Sequence, residues 1–150
     1  MSPPSATAVT LRRAEPGELE WINARYAQVD FLPSSDADLV ALATLDGVPA
    51  GLGRIVPVGA DAGELGGMLV FEQFQGCGLA RRIIDFLLQQ TRYATLYCLP
   101  FAELEDLYAS MGFARAPAGA DLPDHVAHKY RWCNEHYPKP VLLMQRARQP

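Results

Sequence analysis

The residues best suited to chemistry form a glycine-bearing turn between a predicted strand, 64–71, and a predicted helix that ends near Gln90. The turn reads Gln75-Gly76-Cys77-Gly78-Leu79-Ala80. Gly76 and Gly78 carry no Cβ, so the chain can turn sharply and a ligand can approach the backbone. The first N–H groups of a helix lack intrahelical acceptors, and the helix dipole adds positive charge at the same end. This junction is therefore predicted to bind a pyrophosphate.

Two cations, Arg81 and Arg82, follow in the first turn of that predicted helix. Cations at this end oppose the helix dipole by about 0.3–1 kcal/mol each. A polyanionic ligand bound against the turn would reverse the sign of that effect. The alternative interpretation is that both arginines belong to a solvated helix face.

A second group of side chains with chemical potential lies near the C-terminus. Four residues of zinc-ligand type fall within twelve positions, His125, His128, Cys133 and His136. Their spacing matches no common zinc-finger pattern, so we prefer a place at the surface or at the rim of an acceptor pocket over a metal site. Cys77 and Cys98 could be read as nucleophiles, but neither has a histidine or carboxylate nearby in sequence.

Length and composition narrow the class of protein. The chain has 150 residues, 49% of them apolar and 20% charged, which is ordinary for a globular protein. We predict one domain over residues 1–150 with a flexible start at 1–7. The net charge of -4 gives no general reason to bind nucleic acid or an acidic membrane. Three widely spaced cysteines, no signal-type start and no apolar run near the roughly 20 residues that cross a bilayer favour the cytoplasm.

The hydrophobic pattern predicts alternating strands and helices. Apolar residues recur at helical spacing after Pro16, at Leu19, Ile22, Tyr26 and Val29. The predicted strands are 8–13, 39–45, one resuming at Val48, 64–71, 95–99 and 141–144, with a loop at 59–63. The remaining predicted helices are 79–90 and 102–110, the last ending at Gly112.

Two local patterns add detail to these elements. Asp46-Gly47 between two apolar runs predicts a tight β-hairpin. Gly66-Gly67 inside a predicted strand indicates a bulge or a close approach of backbone. The succession of strand 64–71, helix 79–90 and strand 95–99 implies a right-handed parallel crossover.

The order of elements and two motifs resemble the GNAT superfamily of acyl-CoA-dependent N-acyltransferases. The first motif, Gln75-x-x-Gly78-x-Ala80, follows a predicted strand and opens a helix. The second, Leu107-Tyr108-x-x-x-Gly112-Phe113, comes about thirty residues later. The resemblance extends from about Ala8 to Met144. Other phosphate motifs do not fit, because a Walker loop needs Gly-Lys-Ser/Thr and the dinucleotide fingerprint needs glycine where Arg81 stands.

The resemblance implies an α/β (α+β) fold with a central mixed, mostly antiparallel sheet, splayed at the fourth and fifth strands and flanked by helices. It also implies acetyl-CoA as co-substrate and no metal. The pyrophosphate would bind the amides of 77–80, and the pantetheine arm would lie along 68–70 like an added strand. The implied cofactor-binding residues are Met68, Leu69, Val70, Gln75, Gly76, Cys77, Gly78, Leu79, Ala80 and Arg81. The family often has proline and asparagine where this chain has Glu72 and Phe101.

The resemblance also suggests catalytic residues. Tyr108, the tyrosine of the second motif, is the candidate general acid near the coenzyme sulfur, since a phenol stays protonated at neutral pH. Its alternative is an aromatic that packs in the core. Glu64 shares strand parity with Gly66, Met68 and Val70, and in some family members a glutamate there acts as the base through water. Its alternative is a solvated carboxylate at a strand end.

The acceptor side is less clear. In the family, the loop after the first helix and the segment before the last strand form the acceptor site, which points here to Asp30, Phe31 and Trp132. Asp30 could attract a cationic amine, and the two aromatic residues could cover its alkyl part; each is equally explained as a loop cap or a core aromatic. A polyamine, an amino acid, an antibiotic-like amine and a protein amine all remain open.

Two functions of different classes follow from the resemblance. The first is an acetyl-CoA-dependent N-acetyltransferase acting on a small-molecule or peptide amine by direct attack in a ternary complex. The second is a non-catalytic acyl-CoA-binding or sensing domain, which would need the phosphate loop but neither Tyr108 nor Glu64. The presence of both residues favours catalysis. The family often forms homodimers, which this chain neither requires nor excludes.

Overall fold

A computed structural model describes residues 8–148, so the predicted flexible start at 1–7 lies outside the described residues. The strands are β1 (Val9–Arg13), β2 (Leu39–Leu45), β3 (Val48–Gly59), β4 (Ala62–Val70), β5 (Thr95–Cys98), β6 (Ala114–Arg115) and β7 (Met144–Ala147). The helices are α1 (Leu19–Ala27), α2 (Leu79–Gln90), α3 (Glu105–Ser110) and α4 (Asp124–His136). Short 3-10 turns, Pro16–Glu18, Glu72–Phe74 and Ala102–Leu104, precede α1, α2 and α3.

The strands form one mixed sheet of seven, in the order β1-β2-β3-β4-β5-β7-β6. β1 pairs antiparallel with β2, and β7 pairs antiparallel with both β5 and β6. β4 and β5 are parallel, which confirms the predicted crossover through α2. All four residues of β5 pair with Ala62–Leu65 of β4. β4 continues to Val70 beyond that pairing, so the two strands are joined only over the first part of β4.

The predicted hairpin between β2 and β3 is confirmed. Its two turn residues, Asp46 and Gly47, have φ values of +52° and +81°. This pair of positive angles is the turn geometry that matches the twist of antiparallel strands, and Asp-Gly adopts it at low cost. The Asp46 carboxylate also accepts a hydrogen bond of 2.9 Å from the Ala8 N–H, which fastens the turn to the start of β1.

Three parts of the sequence-based assignment are wrong. The predicted loop at 59–63 is a two-residue turn, because β3 runs to Gly59 and β4 begins at Ala62. The predicted last strand at 141–144 lies about three residues too early: β7 is Met144–Ala147, while Val141 makes only an isolated bridge to Phe101. Helix α4 was not predicted, because its buried residues are only Val126 and Cys133.

The chain divides into two compact units. Within the described residues, unit 1 comprises 8–54 and 67–90, and unit 2 comprises 55–66 and 91–148. The earlier expectation of one domain over the whole chain stays a prediction. Among residues 8–148, no helix combines the length and apolar character that crossing a bilayer would require.

Unit 1 is organised around β2 and β3. Buried residues of α1 and these strands form one cluster, namely Ile22, Tyr26, Val40, Leu42 and Leu52. Gly51 and Gly53 alternate with Leu52 and face α2, where a Cβ on Gly53 would lie 2.6 Å from the side chain of Ile83. These glycines therefore let α2 approach β3 closely, while α1 covers the opposite face.

The buried apolar side chains of unit 2 include Leu65, Leu96, Tyr108, Phe113, Val126 and Met144. The rings of Tyr108 and Phe113 pack edge to face with centroids 5.9 Å apart. Helix α3 is followed by Gly112 at φ +96°, as the glycine there predicts. The stem and Nε of Arg146 occupy the space that a Cβ on Gly112 would need.

Candidate functional site

The junction between β4 and α2 is built from local backbone geometry. The Phe71 N–H donates to the Ala50 carbonyl at 2.9 Å, which holds the end of β4 against β3. The side-chain amide of Gln75 donates to the Val70 carbonyl at 3.1 Å, so this residue braces the turn. Gly76 and Gly78 then take φ values of +82° and +76°. Both angles lie in the left-handed region, where a side chain is strained and glycine is not.

The space in front of these glycines is open. A Cβ added to Gly76 or Gly78 would meet no atom of the described residues within 4 Å, apart from the neighbouring residues in the chain. Within residues 8–148, the backbone N–H groups of Gly76, Cys77 and Gly78 donate no hydrogen bond. Leu79 is only 2% exposed and anchors the start of α2 in the core, so it can offer a ligand its backbone alone. The geometry and the free donors fit a diphosphate at a helix N-terminus.

Arg81 and Arg82 are both exposed in the first turn of α2, and Ala80 is half-buried beside them. Beyond them α2 buries Ile83, Ile84 and Leu87. The helix thus presents a cationic first turn while its apolar stripe holds it against the sheet. The charge of this turn suits a polyanionic ligand.

The second half of β4 carries apolar side chains, in contrast to the glycines and arginines of the turn that follows it. Met68, Leu69 and Val70 are all half-buried. Leu69 packs against the core cluster around Tyr26. Leu69 and Val70 also line a groove of about 600 Å³, whose other walls include Trp21 and Arg25 of α1. This part of β4 therefore borders an open groove within unit 1.

In unit 2, Glu64 forms a buried ion pair. The residue is 2% exposed, and its Oε2 accepts from Lys129 Nζ at 2.5 Å. Its other oxygen, Oε1, is buried and has no hydrogen-bond partner within the described part of the chain. A Cβ on Gly66 would lie 3.5 Å from Oε2, so Glu64 and Gly66 share a face as expected. Glu64 is therefore not a solvated strand-end carboxylate.

Lys129 is the charged residue that sequence reasoning missed. It belongs to α4 and is 65 positions from Glu64 in the chain. Its place between Val126 and Cys133 puts it on the buried stripe of that helix. The i, i+3, i+7 spacing of Val126, Lys129 and Cys133 is the pattern that would have revealed it.

Tyr108 is 5% exposed, and burial, with a smaller contribution from Cys98, raises its pKa above the ordinary value. The phenol therefore stays protonated at neutral pH. Its hydroxyl makes no hydrogen bond within residues 8–148. It is also not one of the fully buried atoms without a partner, which are Arg25 Nε and Glu64 Oε1. The oxygen of Tyr108 thus keeps some access to solvent although the ring is packed.

The cysteines fit structural roles. Cys98 is 1% exposed, and burial, reinforced by the negative charge of Glu64, raises the pKa of its thiol. Burial likewise raises the pKa of Cys133, against a lowering effect of Lys129. A thiol in this state is a poor nucleophile. Cys77 is exposed on the glycine turn.

The predicted acceptor residues fall in different environments. Asp30 is exposed and has a φ of +59° in the loop after α1. Phe31 is half-buried and packs against Tyr26 with ring centroids 5.9 Å apart, as a core aromatic would. Trp132 of α4 is 45% exposed, and its ring stacks on the imidazole of His136 with ring centroids 4.2 Å apart. Asp30 and Phe31 lie in unit 1, and Trp132 lies in unit 2.

The histidines of the C-terminal run all lie on α4. His125, His128 and His136 are exposed, whereas Cys133 is buried. Within the described residues, no three side chains of histidine, cysteine, aspartate or glutamate come together as a group that could hold a metal ion. His136 Nδ1 lies 2.8 Å from the Trp132 carbonyl, one helical turn back.

Comparisons with known proteins agree with this geometry. The sequence model of the acetyltransferase (GNAT) domain matches residues 36–115. No curated protein sequence matches the chain significantly. Among solved structures, N-acetylglutamate synthase from Neisseria gonorrhoeae, complexed with coenzyme A and N-acetyl-glutamate, is similar with a TM-score of 0.70 and 20% identity. The match covers 97% of this chain and 36% of that one, so this chain spans about a third of that enzyme.

Two further structures match over nearly the whole of both chains. The ribosomal-protein-S18-alanine N-acetyltransferase from Escherichia coli has a TM-score of 0.68 and 18% identity, covering 95% of this chain and 96% of that one. Mutant forms of the spermidine/spermine N-acetyltransferase from Vibrio cholerae give a TM-score of 0.66 and 15% identity, covering 93% and 94%. Identities this low show a shared fold. Since the family match itself spans more than half of the sequence, the chain belongs to the GNAT acetyltransferase family.

Proposed function

We propose that the chain is an N-acetyltransferase that moves the acetyl group of acetyl-CoA to a primary amine of a small molecule or peptide. The observation that carries the proposal is the open glycine turn at the start of α2. Among residues 8–148, no atom beyond the chain neighbours lies within 4 Å of a Cβ added to Gly76 or Gly78, and the N–H groups of the turn have no acceptor there. These donors lie together on an exposed turn at a helix N-terminus, and a diphosphate would supply acceptors for them.

In this proposal the coenzyme binds along one continuous stretch of unit 1. The amides of 77–80 hold the pyrophosphate, and the charge of Arg81 in the same turn adds to that attraction. The backbone of 68–70 pairs with the pantetheine arm as an added strand would. The half-buried side chains of Met68, Leu69 and Val70 border that arm. Gln75 supports the site indirectly, by bracing the turn through the Val70 carbonyl.

The chemical step is direct attack. The nitrogen of a neutral amine bonds to the thioester carbonyl carbon, the C–S bond breaks, and the coenzyme leaves as a thiolate that takes a proton from Tyr108. The nitrogen loses its extra proton to Glu64 through water. Since Lys129 occupies Oε2 of Glu64, Oε1 is the oxygen that accepts. General acid–base steps of this type contribute about 10²–10⁴ in rate, and binding both substrates together supplies much of the rest.

The structural neighbours support coenzyme A as the cofactor, but they do not agree on one class of acceptor. N-acetylglutamate synthase was crystallised with coenzyme A. The compounds named for the three neighbours differ in class, from the acetylated amino acid N-acetyl-glutamate to a ribosomal-protein alanine and the polyamines spermidine and spermine. An amine acceptor is their common chemistry. The cytoplasmic location stays a prediction from the sequence, and self-association rests on the family resemblance alone.

A thiol-release assay tests the proposal. Acetyl-CoA is mixed with the protein and a panel of amino acids, polyamines, aminoglycosides and short peptides, and free coenzyme A is measured. We expect release with at least one amine class. Calorimetry with coenzyme A is the companion measurement. Tight coenzyme binding with silence across the panel would favour the sensing domain instead, and no coenzyme binding at all would overturn both functions.

A further inference from the structure

Arg54, in the part of β3 that belongs to unit 1, is a buried cation. It is 6% exposed, and its Nη1 donates to the Leu32 carbonyl at 2.8 Å and to Ser34 Oγ at 2.6 Å. Its guanidinium lies 4.4 Å from the ring centroid of Tyr26. All three contacts are with neutral groups. They fix the orientation of the guanidinium but supply no negatively charged partner.

A buried charge normally has an ionic partner, because removal from water costs several kcal/mol. No carboxylate between residues 8 and 148 forms a salt bridge with Arg54. Asp38 is close enough to influence the pKa of Tyr26. Its carboxylate is engaged with the Ser35 N–H at 3.1 Å, so it caps the loop and does not pair with Arg54. The charge of Arg54 is therefore available to a ligand.

One edge of the guanidinium is free. Nη1 makes both hydrogen bonds, whereas Nε and Nη2 make none within the described residues. Neither atom is among the fully buried atoms that lack a partner, so solvent reaches both. The Nε–Nη2 edge is the one that binds a carboxylate through two parallel hydrogen bonds.

Gly67 keeps this edge accessible. It has a φ of +59°, and a Cβ there would lie 2.8 Å from Arg54 Nε and 2.8 Å from the Tyr26 hydroxyl. The Gly67 carbonyl accepts from that hydroxyl at 2.8 Å, which holds the backbone in place. The next residue, Met68, begins the stretch that we propose for the pantetheine arm. The free edge of Arg54 thus lies beside the start of that stretch.

We infer that the acceptor amine also carries a carboxylate, as a free amino acid does, and that Arg54 binds this carboxylate through Nε and Nη2. The inference rests on the proposed acetyl transfer and narrows its substrate class. A polyamine is disfavoured by the same observation, since a buried cation repels a second one. Leu32, whose carbonyl accepts from Nη1, follows Phe31 in the loop after α1, the segment that the family resemblance points to for the acceptor.

Matched substrates test the inference on the unmodified protein. Thiol release is measured with each of the twenty amino acids, and for those turned over, with the carboxamide and the decarboxylated amine. L-phenylalanine, L-phenylalaninamide and phenethylamine form one such set. We expect kcat/KM for the acid to exceed that of both analogues by about tenfold or more, as a lost charged hydrogen bond implies. Equal or better turnover of the analogues would overturn the inference while leaving acetyl transfer intact.

Variants locate the site. Arg54→Lys keeps the charge but loses the two-pronged edge, and Arg54→Gln loses both; Arg92→Gln removes an exposed arginine as the control. We expect the preference for acid over amide to collapse in both Arg54 variants and to persist in the control, with coenzyme A affinity retained. A purely structural role would lower acid and amide turnover equally and would contradict the inference. If Arg54→Gln does not fold, the acid-over-amide preference of Arg54→Lys and of the unmodified protein tests the inference.

Failure of acetyl transfer would be seen separately. If no amine releases thiol, the proposed acetyl transfer is wrong. The carboxylate site is then tested by the melting temperature of the protein in the presence of each amino acid and of its amide. Stabilisation by the acids that Arg54→Lys abolishes supports a carboxylate site in a non-catalytic protein. Absence of such stabilisation overturns it.

Discussion

The glycine turn before α2 and the Glu64–Lys129 pair show two ways of building a site. The turn lies within about ten consecutive residues, and its shape comes from backbone angles that Gly76 and Gly78 permit. The ion pair joins residues 65 positions apart and depends on where α4 packs in unit 2. A site made of backbone can be read from a short motif. A site made of distant side chains depends on tertiary packing.

The largest expected effect breaks the turn. In Gly78→Leu, the new Cβ would meet no atom of the described residues within 4 Å beyond its chain neighbours, so the side chain should extend into the space proposed for the pyrophosphate. We expect coenzyme A affinity to fall about a hundredfold or more by calorimetry. Gly119→Leu is the matched control, because Gly119 has a similar φ of +79° and equally open surroundings. Both variants share a backbone strain of about 1–2 kcal/mol. Unchanged affinity in Gly78→Leu, or equal loss in both, would refute a phosphate site at this turn.

The next largest effect concerns Tyr108. Tyr108→Phe removes the proposed proton donor, and we expect kcat to fall about a hundredfold with unchanged coenzyme A affinity. Stability should change little, since the hydroxyl makes no hydrogen bond in the described chain. Because burial raises the pKa of Tyr108, the wild-type rate should show no alkaline loss from this group below about pH 10. Tyr93→Phe controls for loss of a hydroxyl. Equal kcat in wild type and Tyr108→Phe would reduce Tyr108 to a packing residue.

A stability measurement tests the buried pair. Lys129→Met leaves the carboxylate of Glu64 buried without its cation, and we expect the free energy of unfolding to fall by about 3 kcal/mol in urea. Adding Glu64→Gln should recover part of that loss. Lys139→Met is the control, because its pair with Glu103 is 61% and 60% exposed and should contribute about 1 kcal/mol or less. Similar losses in the two lysine variants would show that burial of Glu64 carries no special cost.

The smallest effect concerns a short-range pair. Arg12 and Glu18 are six positions apart and partly exposed. The hydrogen bond from Arg12, followed by that from the Glu15 N–H, lowers the pKa of Glu18 from 4.5 to about 2. A lowered pKa stabilises the fold above pH 4.5 and loses that contribution as the pH falls through 2. Glu18→Gln should therefore cost about 1 kcal/mol or less at pH 7 and lose that cost once the pH is below 2. An equal cost at both pH values would exclude the ion pair as its source.

Sequence patterns predicted the fold well where the pattern was regular. The bounds of α2, the hairpin at Asp46-Gly47 and the parallel crossover all agree with the structure. Errors arose where packing overrode pattern. Helix α4 shows only two buried residues, and β7 carries Gln145 and Arg146 rather than an apolar run. Polar strands and helices of this kind are stabilised by their neighbours, which a local pattern does not show.

The sequence by itself determined the glycine turn, the motif around Tyr108 and hence the family, because backbone freedom and helix termini are local properties. Only the tertiary structure decided which charges meet. It paired Glu64 with Lys129 of an unpredicted helix, and it buried Arg54 beside Tyr26 and Gly67 without a salt bridge to any described carboxylate. The physical reason is that the partner of a buried charge is chosen by packing, across distances in sequence that no motif spans.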